Sequence, residues 1–161
     1  MKFALLDRII ELSPRDHIRA IKAVTASEEY LADHFPTFPV LPGVFVLEAM
    51  TQAAAWLVRV SQDFACSIVL LAEAKNVTYK SFVRPGDVLE VDVKCRRLGH
   101  SESTFSGMGT CNGVDVAKAG FVLRHFSLAD QALEWADVDR DIVRRARDQL
   151  AALQSGTVGS S

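Results

Sequence analysis

Cysteine is scarce in this sequence. Cys66, Cys95 and Cys111 are an odd number with no CxxC spacing, which argues against a disulfide framework or a cysteine-rich zinc module. All three fall in strand-like segments, so we expect reduced core or sheet residues in a reducing compartment. Neither sign of charge is in excess: 18 Lys and Arg stand against 20 Asp and Glu, a net charge of −2. Nothing global points to a nucleic-acid partner. Long hydrophobic runs are also lacking. The stretch around Val69 to Ala72 is too short to cross a bilayer, and no positively charged, apolar signal opens the sequence. The expectation is a cytoplasmic protein without membrane insertion. No internal repeat, phosphate loop or metal constellation is visible, so no metal and no cofactor are expected.

Proline is sparse too, but three of the five, Pro36, Pro39 and Pro42, fall within seven residues. They exclude a helix interior and stiffen the loop from His34 to Pro42. From Gly43 to about Gln62 the pattern turns helical, with Val44, Leu47, Thr51, Ala54 and Val58 at three and four spacing. Phe45, Val46, Ala49, Met50, Ala53 and Ala55 fill most of the other faces. A helix apolar nearly all round is expected to be buried nearly all round. Glu48 sits among these residues as its one carboxylate.

The flanks read as the wrapper. Phe3 to Leu12 reads as a helical turn running into a strand, and Ile18 to Val24 as a second strand, hairpin-paired across Pro14–Asp16. Ser27 to Asp33 reads as a short helix capped by Ser27. Ser67–Tyr79, Val88–Arg97, Ser101–Cys111 and Val114–Phe126 read as four further strands in a meander. Pro85–Asp87 makes one turn, and Asn112-Gly113 is a two-residue hairpin signal. Ala132 to Leu153 reads as an exposed amphipathic helix with a solvated arginine face, and the Gly/Ser-rich end as frayed. The fold class is therefore α+β, an antiparallel sheet of about six strands curled around one long helix, with an extra C-terminal helix. The division expected is a main domain over 1–130, a helical extension over 131–154 and a flexible tail over 155–161.

His34-Phe35-Pro36, Pro42-Gly43-Val44 and Leu47-Glu48-Ala49-Met50-Thr51-Gln52 resemble the signature of the FabZ-type beta-hydroxyacyl-[acyl-carrier-protein] dehydratases. The similarity extends to Leu5–Arg8, Ile21–Thr25, Val83–Asp87 and the Gly113 hairpin, about residues 3 to 126 in all. It implies the hot-dog fold and dehydration of 3-hydroxyacyl thioesters to trans-2-enoyl products without a cofactor. It also implies an active site shared across a homodimer, His from one subunit and Glu from the other, with a trimer of dimers as the larger assembly. Two features depart from the family: Thr37 stands where glycine is usual, and the helix after Phe126 is longer than expected.

His34 is the candidate general base, since imidazole titrates near neutrality. The bland alternative is a loop histidine bonded to backbone. Glu48 is the candidate acid, or the group positioning water, that helps the β-hydroxyl leave; its apolar neighbours are expected to shield it and keep a proton available. The alternative is a first-turn acid serving the helix dipole. The backbone N–H groups of Gly43 and Val44 could polarise the thioester carbonyl, or simply begin the helix. Gln52, one turn on, could bond Glu48. Phe35, Phe38, Phe45, Met50 and Trp56 could line an acyl tunnel, with core packing as the default for each. His17, His100 and His125 read as surface or turn residues. Acyl carrier protein is acidic, so Lys80, Arg84, Arg96 and Arg97 are candidate docking residues. Two rival functions stay open: a hot-dog thioesterase, and a non-catalytic acyl-binding protein.

Overall fold

The computed structural model describes residues 4–33 and 37–155. Six antiparallel strands make one sheet: β1 (Arg8–Ser13), β2 (His17–Ala23), β3 (Ile68–Tyr79), β4 (Val88–Leu98), β5 (Glu102–Cys111) and β6 (Val114–Phe126). Helix α1 (Tyr30–Asp33) is a single turn, α2 (Gly43–Ser61) is the long central helix, and α3 (Ala136–Ser155) closes the chain. The strand order is β1-β2-β4-β5-β6-β3. The expected four-strand meander is thus three strands, β4 to β6. β3 pairs with β6, and β4 lies beside β2. The cause is the β3–β4 connection. Its Pro85–Asp87 turn is stitched to the end of β2 by Val24 N–H to the Asp87 carbonyl (3.0 Å) and Gly86 N–H to the Val24 carbonyl (2.8 Å), which delivers β4 to the far side of the sheet.

Local chemistry sets the hairpins. Asn112 (φ 53°) and Gly113 (φ 77°) both take left-handed backbone, as a type I′ turn between twisted strands requires. Before β1 the chain runs without the expected helical turn. Leu5 and Leu6 are buried there, and Asp7 N–H joins the Ile21 carbonyl at 2.9 Å, so the sheet captures this segment. Ser27 does not cap a helix. Its hydroxyl meets that of Thr25, while the Glu28 carboxylate accepts from Thr25 N–H at 3.2 Å, and α1 begins only at Tyr30.

The core lies between α2 and the concave face of the sheet. Val46, Ala49, Met50, Ala53 and Leu57 of α2 pack on Leu89, Val91, Phe105, Phe121 and Leu123. Close approach needs two glycines in β5. A Cβ on Gly107 would stand 2.8 Å from Met50 Sδ, and one on Gly109 would stand 3.1 Å from a Val46 methyl. Met50 is therefore core, fully buried. By length and composition alone α2 could cross a bilayer, but here it is the core helix of a sheet that curls around it. It ends where Asp63 (φ 50°) and Phe64 (φ 58°) turn left-handed.

Two expectations about coverage fail. First, α2 is not enclosed on all sides: Val44 is 63% exposed and Glu48 is exposed, so the protomer leaves one stripe of the helix open. Second, the C-terminal helix is not simply solvated. It starts at Ala136 after two 3-10 turns, Leu128–Asp130 and Leu133–Trp135, and buries Asp139, Ala146 and Leu153. The Arg147 guanidinium lies 4.4 Å from the Phe64 ring centre.

Candidate active site

The site is built at the N-terminal end of α2. Leu41 N–H donates to the Val83 carbonyl at 2.8 Å, so the proline loop and the β3–β4 connection are joined there. Pro42 precedes the helix at φ −56°, ψ 137°, and its carbonyl accepts from Phe45 N–H at 2.9 Å. Gly43 and Val44 open the first turn, where backbone amides have no carbonyl one turn earlier to bond. Glycine at 43 is also a packing requirement, since a Cβ would stand 2.9 Å from the Tyr79 ring. The sequence motif showed the helix start but not this contact, because Tyr79 lies 36 residues away in the chain.

Glu48 falls in the second turn; no acid occupies the first. The helix-dipole alternative therefore loses its force, since that effect fades beyond the first turn. Contrary to expectation, its apolar sequence neighbours do not shield it: they turn into the core, while Glu48 sits on the open stripe. Gln52 holds it, donating Nε2 to Glu48 Oε1 at 3.1 Å and accepting Leu5 N–H on Oε1 at 2.8 Å. The amide is thereby oriented from both ends, and it steers the carboxylate. His34 lies outside the described residues, as do Phe35, Pro36 and the tail from 156 onward. Thr37 is exposed beside them.

The aromatic and cationic candidates separate. Phe38 is exposed at the site mouth, edge-on to Phe82 at 5.3 Å, with the Arg84 guanidinium 5.9 Å from its ring centre. Phe45 packs against Tyr30 at 4.9 Å. Lys80 and Arg84 share the β3–β4 connection at this end of the molecule, and Lys80 faces Asp115 at 3.8 Å. Arg96 and Arg97 are near the opposite end of β4, roughly 26 Å along the strand from Val88. Arg96 donates to the Ser106 hydroxyl at 2.9 Å. The four cations do not form one patch.

Other titratable groups are scaffold. His125 is not a surface residue: it is 1% exposed in β6 and meets the Ser103 hydroxyl at 2.9 Å. Burial holds its pKa below the usual histidine value. Sequence reasoning missed it, although the strict alternation of β6 places residue 125 on the inner face with Phe121 and Leu123. The three thiols are free. Cys66 lies in the loop before β3 rather than in a strand, and burial raises all three thiol pKa values. Among the described residues no cluster of His, Cys, Asp or Glu could hold a metal ion.

A sheet curled around a helix that offers one steered carboxylate beside an open helix start defines a hot-dog protein. A solved structure titled the dehydratase heterocomplex ApeI:P, from Xenorhabdus doucetiae, superposes with a TM-score of 0.64 at 21% identity, covering 76% of this chain and 83% of that one. A hypothetical thioesterase from Streptococcus pneumoniae gives 0.57 at 17% identity, covering 74% and 85%. At such identities both speak to the fold alone. Sequence speaks to the family. The FabA-like domain model matches residues 1–120. The 3-hydroxyacyl-[acyl-carrier-protein] dehydratase FabZ of Solibacter usitatus is 42% identical over 118 residues, 73% of this chain and 72% of that protein. The FabZ of Geobacillus thermodenitrificans is 34% identical over 129 residues, 80% and 87%. The chain belongs to the FabZ family of 3-hydroxyacyl-[acyl-carrier-protein] dehydratases. The family model stops before α3, which lies wholly outside the match.

Proposed function

We propose that this protein is a hydro-lyase of fatty-acid or related lipid biosynthesis, converting 3-hydroxyacyl-ACP to trans-2-enoyl-ACP and water. The observation that carries the reading is Glu48: a carboxylate set on the open stripe of an otherwise apolar helix and oriented by Gln52. In the reaction His34 takes the α-proton. The freed electron pair forms the Cα–Cβ double bond as the Cβ–O bond breaks. Glu48 supplies the proton with which the hydroxyl leaves as water. The Gly43 and Val44 amides bond the thioester oxygen as negative charge builds there. One C–H and one C–O bond are lost, and one C=C bond and one water are gained, so the step balances without a redox partner. Proton exchange with solvent then resets His34 and Glu48.

The active unit we infer is a homodimer in which His34 of one protomer meets Glu48 of the other. The open stripe on α2 supports it, as does β3, a twelve-residue edge strand with Leu70 51% and Leu71 40% exposed. Such an edge is a template for pairing. A trimer of dimers rests on the family resemblance alone. Lys80 and Arg84 are assigned to carrier docking because they flank the site mouth. The free thiols are consistent with a cytoplasmic setting.

The test is turnover of a 3-hydroxyacyl-ACP, or hydration of a crotonyl thioester followed by loss of enoyl absorbance. Wild type should be active; His34→Ala and Glu48→Gln should be folded and inactive. Release of free carrier thiol without enoyl chemistry would instead mark a thioesterase. Acyl binding without turnover by folded wild type would mark a non-catalytic protein.

A further inference from the structure

A cavity of about 420 Å³ lies between the open stripe of α2, the start of β3 and α3, a size that suits a small-molecule site. It is lined by Gln52, Trp56, Arg59, Val69 and Ala146, among others, and by a second arginine, Arg145, on the α3 side. Gln52 connects it to the reaction centre, since its side-chain amide holds Glu48. From Glu48 to Arg59 the helix rises roughly 16 Å at 1.5 Å per residue.

The walls are apolar through Trp56, Val69, Ile142 and Ala146, but the far end is cationic. Arg59 is half-buried there, its guanidinium 5.9 Å from the Trp56 ring centre and donating to the Ser67 carbonyl at 3.2 Å. Its pKa is drawn down by burial, and among the described residues no carboxylate lies within ion-pair distance of it. Nearby arginines each have a carboxylate in reach: Arg140 has Asp137, Arg144 and Arg145 share Asp141, and Arg147 has Asp63. A half-buried guanidinium without a counter-charge is costly, and an anion delivered by a ligand would offset that cost. An anion alone has no use for the apolar walls, and a plain hydrocarbon chain has none for Arg59.

We propose that this cavity is the distal end of the acyl site, and that it takes a 3-hydroxyacyl chain whose far end carries a carboxylate, docked on Arg59 and walled by α3. The proposal rests on the dehydratase reading for the identity of the chain, but not for the pocket itself. It also gives α3, the segment beyond the family match, a task in substrate selection.

Two experiments test it on the full-length protein. The first needs no turnover: decanoate and decanol are titrated against Trp56 fluorescence in a Trp135→Phe background, which leaves Trp56 as the sole tryptophan. Decanoate should bind at least tenfold more tightly. Arg59→Met should erase the preference and Arg59→Lys should keep most of it. Equal affinities in wild type, or a preference that survives Arg59→Met, overturns the pocket. The second compares kcat/KM for 3-hydroxyacyl-ACP substrates of equal length ending in carboxylate or methyl, with 3-hydroxybutyryl-ACP as reference. The carboxylate should be favoured at least tenfold, and the ratio should fall to about one in Arg59→Met. Equal rates alongside tight decanoate binding would assign the pocket to a free fatty-acid anion and overturn the substrate assignment. No turnover of any substrate, with the binding preference intact, would remove the dehydratase reading and leave the pocket standing.

Discussion

Glu48 and Asp139 are carboxylates on two helices of the same small protein, and they are treated in opposite ways. Asp139 is buried on α3 and fully engaged. It accepts the Ser67 hydroxyl, Leu128 N–H at 2.8 Å and Ala129 N–H at 2.7 Å. Burial alone would raise its pKa, but these three donors outweigh it and hold the carboxyl below the usual aspartate value. Glu48 is open on α2 and accepts from Gln52. A buried acid with both oxygens engaged fastens two segments together and is closed to a substrate. An acid that is steered but uncommitted can exchange a proton.

The strongest way to break this contrast is Glu48→Gln. Loss of a positioned acid removes about 10² to 10⁴ in rate, while an exposed, near-isosteric change leaves stability within about 0.5 kcal/mol. Retention of more than a tenth of wild-type kcat would end the case for Glu48 as the acid. Asp139→Ala should do the reverse. It leaves the buried Ser67 hydroxyl and the half-buried Ala129 N–H without their acceptor, while Leu128 N–H keeps the Ser67 hydroxyl at 3.2 Å, and should cost about 2 kcal/mol in urea unfolding, with the activity of the folded fraction retained. The pH sign follows from the lowered pKa. Asp139 contributes stability above the unfolded value near ~3.9, and that contribution is lost as pH falls through the lower folded value. The Asp139→Ala protein should therefore show a shallower loss of stability in acid; an unchanged acid limb would sever Asp139 from it.

Much of the contrast was legible in the sequence, but unevenly. The helix from Gly43 and the strand alternation are local signals, and the structure follows them closely. Glu48 was legible because a lone carboxylate interrupts an apolar run. Its exposure was not, because which stripe of α2 the sheet leaves open depends on strand order. That order in turn depends on the Val24–Gly86–Asp87 stitch. Asp139 was invisible: its partners are 72, 11 and 10 residues away, and in sequence it is one more charge on an amphipathic helix. The same holds for Arg59, whose isolation shows only when α3 is in place.

The same distinction between committed and open charge sharpens the reading of the cations. Arg84 at the site mouth rests over Phe38, whereas Arg96 is bonded to Ser106 at the other end of β4. Arg84→Glu should raise KM for acyl-ACP roughly fivefold, about 1 kcal/mol, with a smaller effect on a carrier-free thioester and a weaker salt dependence. Arg96→Glu should leave both substrates alike. Equal effects of the two substitutions would place the carrier somewhere other than the site mouth.

His17 gives the smallest and most specific test. It begins β2 and bonds Asp16 at 3.0 Å and Glu11 of β1 at 2.7 Å. Those two carboxylates, Asp16 foremost, raise its pKa above the usual histidine value. A raised histidine pKa reverses the pH sense of Asp139: the contribution is fully present below the unfolded value near ~6.5 and is lost as pH rises through the higher folded value. The side chain is 24% exposed and its Glu11 partner 48%, so solvent screening keeps the expected amount to about 0.5 kcal/mol. His17→Gln should therefore match wild type in unfolding free energy above the folded pKa and fall increasingly short of it as pH drops towards the unfolded value, more visibly at low salt. A constant deficit across the whole pH range would mean that the ring acts by packing in the β1–β2 hairpin and not through its charge.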